Sequence, residues 1–339
     1  MEYKKILYEV RDGVAVITIN SPKTLNAIND EIIEELYQAI TAAEADDGVR
    51  VMVLTGAGKA FCAGGELGSF REGLENGTLD MAANMRNSSR LPVAIKTSGK
   101  PVIAAVRGAA AGAGCSLALC CDFCFAADNA KFIEAFVGVG LLPDTGGLYA
   151  LAKAVGDARA VQMCMTGEPV SAEKALEYGI AYRVVPEAEL EEKVMKFALR
   201  LAAGPSSCYR AVKRMEWETG WKDFGDYMAL EQEFQAEEYR LAQAKEHTAQ
   251  FVAQVKALQA AQTQYLDQLS QLSPAAPIQS QADRVEKAAE EIDDNVQRLL
   301  AQAMQEATAA NQAQQAQEGE PTGQDQPEAD QADLSDTAE

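Results

Sequence analysis

The chain has 339 residues, of which 47% are hydrophobic, enough for one large or two medium domains with a core. Its formal net charge is -21, from 51 acidic and 30 basic residues, which argues against nucleic-acid or anionic-membrane binding, since both need surplus Lys and Arg. A single histidine, His247, leaves little room for a Ser-His-Asp triad and none for a multi-His metal site.

In chain order, Met1-Glu-Tyr-Lys-Lys5 leads into alternating residues without the apolar run of a secretory signal. Val14-Ala-Val-Ile-Thr-Ile19 is β-branched and reads as a strand. Ile32, Ile33, Leu36, Ile40 and Ala43 have helical spacing. Val49 to Leu54 is an almost continuous apolar run and reads as a strand buried on both faces. A glycine-rich turn follows it, Thr55-Gly-Ala-Gly-Lys-Ala-Phe-Cys-Ala-Gly-Gly-Glu-Leu67. Pro101 to Val106 is a third strand, followed by a second turn, Arg107-Gly-Ala-Ala-Ala-Gly-Ala-Gly114, and a helix-compatible stretch from Cys115 to Cys121. Strand-helix alternation points to a layered α/β fold. The longest apolar stretch, Gly108 to Cys121, is too short to span a bilayer. Seven cysteines without an export signal read as free thiols in a reducing cytoplasm. Cys121-x-x-Cys124 lacks a second pair, so these cysteines read as core, as do Met163, Cys164 and Met165.

Residues 205–254 are helical in pattern. Beyond Lys256 glutamine rises from 7 residues in the longer part to 17 in the shorter. Val255, Leu258, Tyr265, Leu269 and Leu272 form one apolar stripe. Val285, Ile292, Val296, Leu299 and Leu300 form another, across Pro274-Ala-Ala-Pro277. Residues 255–310 thus read as a helical hairpin or coiled-coil-like arm, a candidate surface for a protein partner. Residues 311–339 carry eight acidic residues and no basic one, and read as a disordered acidic tail.

Small residues let ligand atoms approach backbone N–H groups, and a helix opening at such a turn points its positive end at them. Two facing turns can place two N–H donors on one oxygen, an oxyanion hole. Gly112-x-Gly114 alone invites a dinucleotide site, but Leu117 occupies the third glycine position and no ribose-binding acid follows.

Together the turns resemble the crotonase superfamily of enoyl-CoA hydratases and isomerases. Asn20-Ser-Pro-Lys-Thr-Leu-Asn-Ala27, Phe61-Cys-Ala-Gly-Gly-Glu-Leu67, Gly112-Ala-Gly114, Asp122, Ala126 to Phe132, Gly140-Leu-Leu-Pro-Asp-Thr-Gly-Gly147 and Leu176 to Val185 carry the resemblance. It implies a spiral of ββα units over residues 1–204, which bind acyl-CoA. It also implies that helices at 205–254 build trimers or dimers of trimers. It implies backbone N–H donors at Ala63 and Ala113. It places a CoA site around Leu25, Ala27, Gly64, Gly65, Glu66 and Leu67, with Lys23 or Lys59 near phosphate. No metal or separate cofactor is implied, since coenzyme A is part of the substrate. Glu66 stands where Asp is usual. The usual terminal family motif is replaced by Glu246 to Val255, which puts a CoA contact from that helix in doubt.

Family hydratases use two glutamates on one water, and here those positions are Ser116 and Phe136. Without both carboxyls efficient hydration is disfavoured. Asp144 remains, and one base suffices for a 1,3-shift of a double bond, with apolar walls raising its pKa. Turn chemistry alone would also place an Asp in Pro143-Asp-Thr-Gly. Glu134, two residues before Phe136, reads as a solvent-facing residue, with pocket lining as its alternative. The reading is therefore an enoyl-CoA isomerase with Asp144 as base. Alternatives are a hydratase with Glu134 or a bound water standing in, a non-catalytic CoA-binding scaffold, and an aryl-CoA dehalogenase-like enzyme. The last lacks its histidine and tryptophan, at Ser89 and Phe136.

Overall fold

A computed structural model describes residues 3–238, apart from 69–71, 73–75 and 77–79. All described residues belong to one packing unit. The helical arm expected at 255–310, the acidic tail at 311–339 and the end of the 205–254 region lie outside the described residues.

Strands β1 (Ile6–Arg11) and β2 (Val14–Ile19) form an antiparallel hairpin across Asp12-Gly13. Helix α1 (Asp30–Ala45) follows, its first turn capped by the Asn29 side chain, which accepts from Ile32 N–H. β3 (Val51–Gly56) is parallel to β2. It starts two residues later than its apolar run, because Val49 N–H bonds back to Asp46 in a turn. Helices α2 (Met81–Ser88) and α3 (Arg90–Thr97) precede β4 (Val102–Val106). Then come β5 (Ala109–Ala111), α4 (Ala113–Cys120), β6 (Phe123–Ala127) and β7 (Lys131–Ile133). α5 (Gly147–Val155), α6 (Asp157–Thr166), β8 (Val170–Ser171), α7 (Ala172–Tyr178) and β9 (Arg183–Val185) follow. α8 (Leu190–Ala202), α9 (Ser206–Gly220) and α10 (224–238) complete the described chain.

Among the described residues the strands form a six-stranded sheet, β1-β2-β3-β4-β6-β9, and a three-stranded one, β5-β7-β8. The long sheet is parallel from β2 onward, and its central strands β3 and β4 are apolar on both faces. Along β3, Met52 and Leu54 join the core beneath α1, while Val51 and Val53 face α8. That is why β3 and β4 read as apolar runs rather than alternating strands. Asp122, at the start of β6, accepts from Val102 N–H (2.7 Å) and from Lys213 Nζ (2.6 Å), tying α9 to the sheet through a largely buried ion pair.

Cys115, Cys120, Cys121 and Cys124 are buried. Met163 is buried, but Met165, read as core, is 73% exposed, because it lies on the outer face of the last turn of α6. No helix of the described residues is long and apolar enough to cross a membrane.

Candidate active site

The two glycine-rich turns are held against each other by backbone pairing. Cys62 N–H donates to Ala109 C=O (3.0 Å), and Ala111 N–H donates to Cys62 C=O (2.9 Å), so the first turn adds a bridge to β5. Buried Asn26 pins the same turn, donating to Ala57 C=O (2.9 Å) and Ala60 C=O (2.8 Å) and accepting from Ser21 N–H (2.9 Å). Gly64 lies so close to the second turn that a Cβ there would sit 2.9 Å from the Ala111 carbonyl oxygen, and its φ of +95° is itself hostile to side chains.

This pairing corrects one expected donor. Ala63 N–H is already committed to Leu25 C=O (3.0 Å) and cannot point at a ligand oxygen. Gly65 differs. Its neighbours pair with Ile28, through Ile28 N–H to Gly64 C=O (2.7 Å) and Glu66 N–H to Ile28 C=O (2.9 Å). The Gly65 N–H itself has no backbone partner among the described residues. On the second turn Ala113 is the first residue of α4, where a helical N–H has no acceptor within its own helix. Each turn thus offers the cleft an N–H that backbone pairing leaves open, Gly65 on the first and Ala113 on the second.

Both residues line one cleft of ≈ 530 Å³. Ile28, Ile33, Met85, Phe136 and Leu141 give it apolar walls, and Gly64, Glu66 and Leu67 line it as well. Phe136 is buried and packs against the second turn, its ring 3.5 Å from where a Cβ on Gly112 would be. Asn29 Nδ2 donates to the Glu66 carboxylate (3.1 Å). Lys23, Leu25 and Lys59 are exposed and Ala27 is half-buried, and none of the four belongs to the cleft wall.

Asp144 lines the same cleft. Burial pushes its carboxyl up to about 6, against the opposing effect of the Thr145 hydroxyl, which donates to Oδ1 at 2.8 Å. Ser116 Oγ is fully buried and donates to the Asp144 main-chain oxygen (2.9 Å), so this residue braces the loop rather than facing the cleft. Glu134 is a correction as well. Instead of facing solvent it has no exposed surface, and among the described residues no N–H or O–H donor reaches either carboxylate oxygen. Burial pushes it up to about 7; the adjacent Cys115 thiol acts the other way, and Asp144 adds to the rise. It does not reach the cleft wall.

Sequence reasoning missed two residues on α10. Buried Gln235 lines the cleft, and its Oε1 accepts from Leu142 N–H (2.9 Å). Buried Glu231 accepts from Gly146 N–H (3.1 and 3.4 Å). Burial pushes its carboxyl up to about 8, with Asp144 adding to the rise. A signal was present: Phe224, Met228, Glu231 and Gln235 fall on one helical face with two apolar residues. Among the described residues, no His, Cys, Asp and Glu group could hold a metal ion.

Comparison with known proteins agrees with this arrangement. A family model described as enoyl-CoA hydratase/isomerase matches residues 9–260. The trans-2-decenoyl-[acyl-carrier-protein] isomerase of Streptococcus mutans is 40% identical over 236 residues, 69% of this chain and 90% of that protein. A probable enoyl-CoA hydratase of Rhodobacter capsulatus is 41% identical over 215 residues, 63% of this chain and 81% of that one. Among solved structures, an enoyl-CoA hydratase from Mycobacterium avium subsp. paratuberculosis superposes with a TM-score of 0.64 at 32% identity, covering 70% of this chain and 95% of its own. The chain belongs to the enoyl-CoA hydratase/isomerase family, the crotonase superfamily. Relatives carry both reaction names.

Proposed function

We propose that this protein is an enoyl-CoA isomerase that shifts a C=C bond by a 1,3 proton transfer, with Asp144 as its single base. The observation that carries the reading is Asp144 on the wall of the cleft that the two turns open into, with the hydratase carboxyl positions occupied by Ser116 and Phe136. The thioester oxygen accepts the N–H groups of Gly65 and Ala113. Ionised Asp144 takes a proton from the carbon between thioester and double bond, the electron pair moves onto that oxygen as an enolate, and the protonated Asp144 returns the proton at the far carbon. No water and no second acid are consumed. Each well-placed oxyanion donor contributes on the order of 3–4 kcal/mol to such a step. A carboxyl raised to about 6 is ionised at neutral pH yet basic enough to exchange its proton.

Two alternatives lose support. A hydratase using Glu134 needs that carboxyl at a water in the cleft, and Glu134 lies behind the wall. A dehalogenase-like enzyme needs an imidazole at position 89, where the Ser89 hydroxyl donates to Met85 C=O (2.6 Å). A non-catalytic scaffold is separated by experiment. NMR of 3-enoyl-CoA in D₂O with the protein gives the conjugated 2-enoyl-CoA carrying deuterium, and Asp144→Asn abolishes both. A 3-hydroxyacyl product would move the assignment to hydratase, and no proton exchange would leave the scaffold. A trimer or dimer of trimers and a cytoplasmic location belong to the same proposal; light scattering of the purified protein tests the assembly.

A further inference from the structure

The loop that carries Asp144 is strained. Thr145 is β-branched, buried, and has φ +57°, a region such residues rarely occupy. Gly146 follows in the same left-handed region, and a Cβ there would lie 2.6 Å from the Phe224 ring. A conformation of this kind persists only when its surroundings over-determine it. Here the surroundings are one face of α10. Phe224 and Met228 press on Gly146, Glu231 accepts its N–H, and Gln235 accepts the N–H of Leu142 at the loop's other end.

We propose that Glu231 and Gln235 are positioning residues for the Asp144 base: from one face of α10 they hold both ends of its loop and keep its carboxyl turned to the cleft. This rests on Asp144 being the base. The two acceptors lie four residues apart on the helix, one turn, while their donors lie four residues apart on the loop, on either side of Asp144. The left-handed Thr145–Gly146 pair reverses the chain between them and leaves the Thr145 hydroxyl on the Asp144 carboxylate. A loop released at Leu142 would let the carboxyl turn toward water, where its basicity falls to that of an ordinary aspartate. Glu134, after β7, and Glu231, on α10, each feel the Asp144 charge, and Asp30, Glu31 and Glu66 line the same cleft.

The test compares Gln235→Met, Gln235→Glu and Asp144→Asn in the full chain. Readouts are kcat, KM and the pH dependence of 3-enoyl-CoA isomerisation, with amide hydrogen exchange over residues 141–147. Met matches Gln in length but offers no acceptor to Leu142 N–H. Gln235→Met is expected to lower kcat at least about tenfold with KM changed less than about twofold, because misplacing a base costs turnover rather than binding. Its acid limb moves to lower pH, and exchange at Leu142 speeds up. Gln235→Glu restores an acceptor oxygen and recovers most of the lost kcat. Should Gln235→Met fail to fold, Glu231→Asp carries the test, since one methylene withdraws the acceptor from Gly146. An inactive Asp144→Asn beside a folded Gln235→Met with unchanged kcat and acid limb overturns the clamp and leaves the base standing. An active Asp144→Asn overturns both.

Discussion

Glu134→Gln isolates the energetic cost of a buried carboxyl. Glu134 has no exposed surface and, among the described residues, no N–H or O–H donor on its carboxyl, which is raised from 4.5 to about 7. Because the folded state holds this proton more tightly than the unfolded chain, stability is highest below the unfolded value. It falls as pH rises through the window from 4.5 to about 7, where the unfolded chain has already released the proton. At 1.36 kcal/mol per pKa unit, the loss across that window is about 3 kcal/mol. Glutamine keeps the size and cannot ionise. Wild type and variant are therefore expected to differ by one constant amount near pH 4 and to diverge in the variant's favour by about 3 kcal/mol at pH 8. For a domain of this size the divergence is on the order of 6–12 °C in Tm. Urea unfolding followed by fluorescence at pH 4, 6 and 8 measures it, with Asp144 present in both proteins so that its own titration largely cancels. A difference that stays flat across the three pH values would refute a buried, proton-holding Glu134.

Further outcomes follow from the same geometry. The kcat of isomerisation should fall below pH 6 by about tenfold per unit, since protonation of Asp144, raised to about 6, removes the base; stopped-flow absorbance of the conjugated product reads this limb. Gly64→Ala puts a Cβ 2.9 Å from the Ala111 carbonyl oxygen at a φ of +95°, which parts the two turns. Steady-state assays should show kcat/KM reduced by about 10²-fold or more, alongside a lower Tm. Lys213→Met leaves the Asp122 carboxylate, 14% exposed, with Val102 N–H but no cation. A loss of about 3 kcal/mol or more in urea unfolding is expected, with KM little changed.

Much of the frame was legible because it rests on local pattern. β2 matches its β-branched run residue for residue, and α1 brackets the spaced isoleucines. The helix that opens at Ala113 was legible because a helix start announces itself in small residues followed by an apolar stretch. The first turn misled by two residues. Composition marks Ala63 to Gly65 as backbone-accessible, but which N–H is free depends on the Leu25 carbonyl, brought in by a separate segment. Glu134 shares strand parity with buried Phe132, a signal outweighed by the usual cost of burying an unpaired carboxyl. Glu231 and Gln235 were hidden because their partners are main-chain N–H groups of a loop about 90 residues earlier, and main-chain donors leave no mark in a sequence.

The cleft is built from two kinds of material. The donors on its turns are peptide N–H groups, which every amino acid except proline supplies. Replacing the residue at 65 or 113 can crowd them but rarely deletes them. On the proposed mechanism the proton-moving side is built from side chains, Asp144 above all, with Thr145, Glu231 and Gln235 around it. Single codon changes can remove or swap any of those groups. Under that mechanism thioester recognition is robust to mutation while the chemistry performed on the bound thioester is brittle. Such a chain can lose or exchange its reaction long before it loses its substrate class.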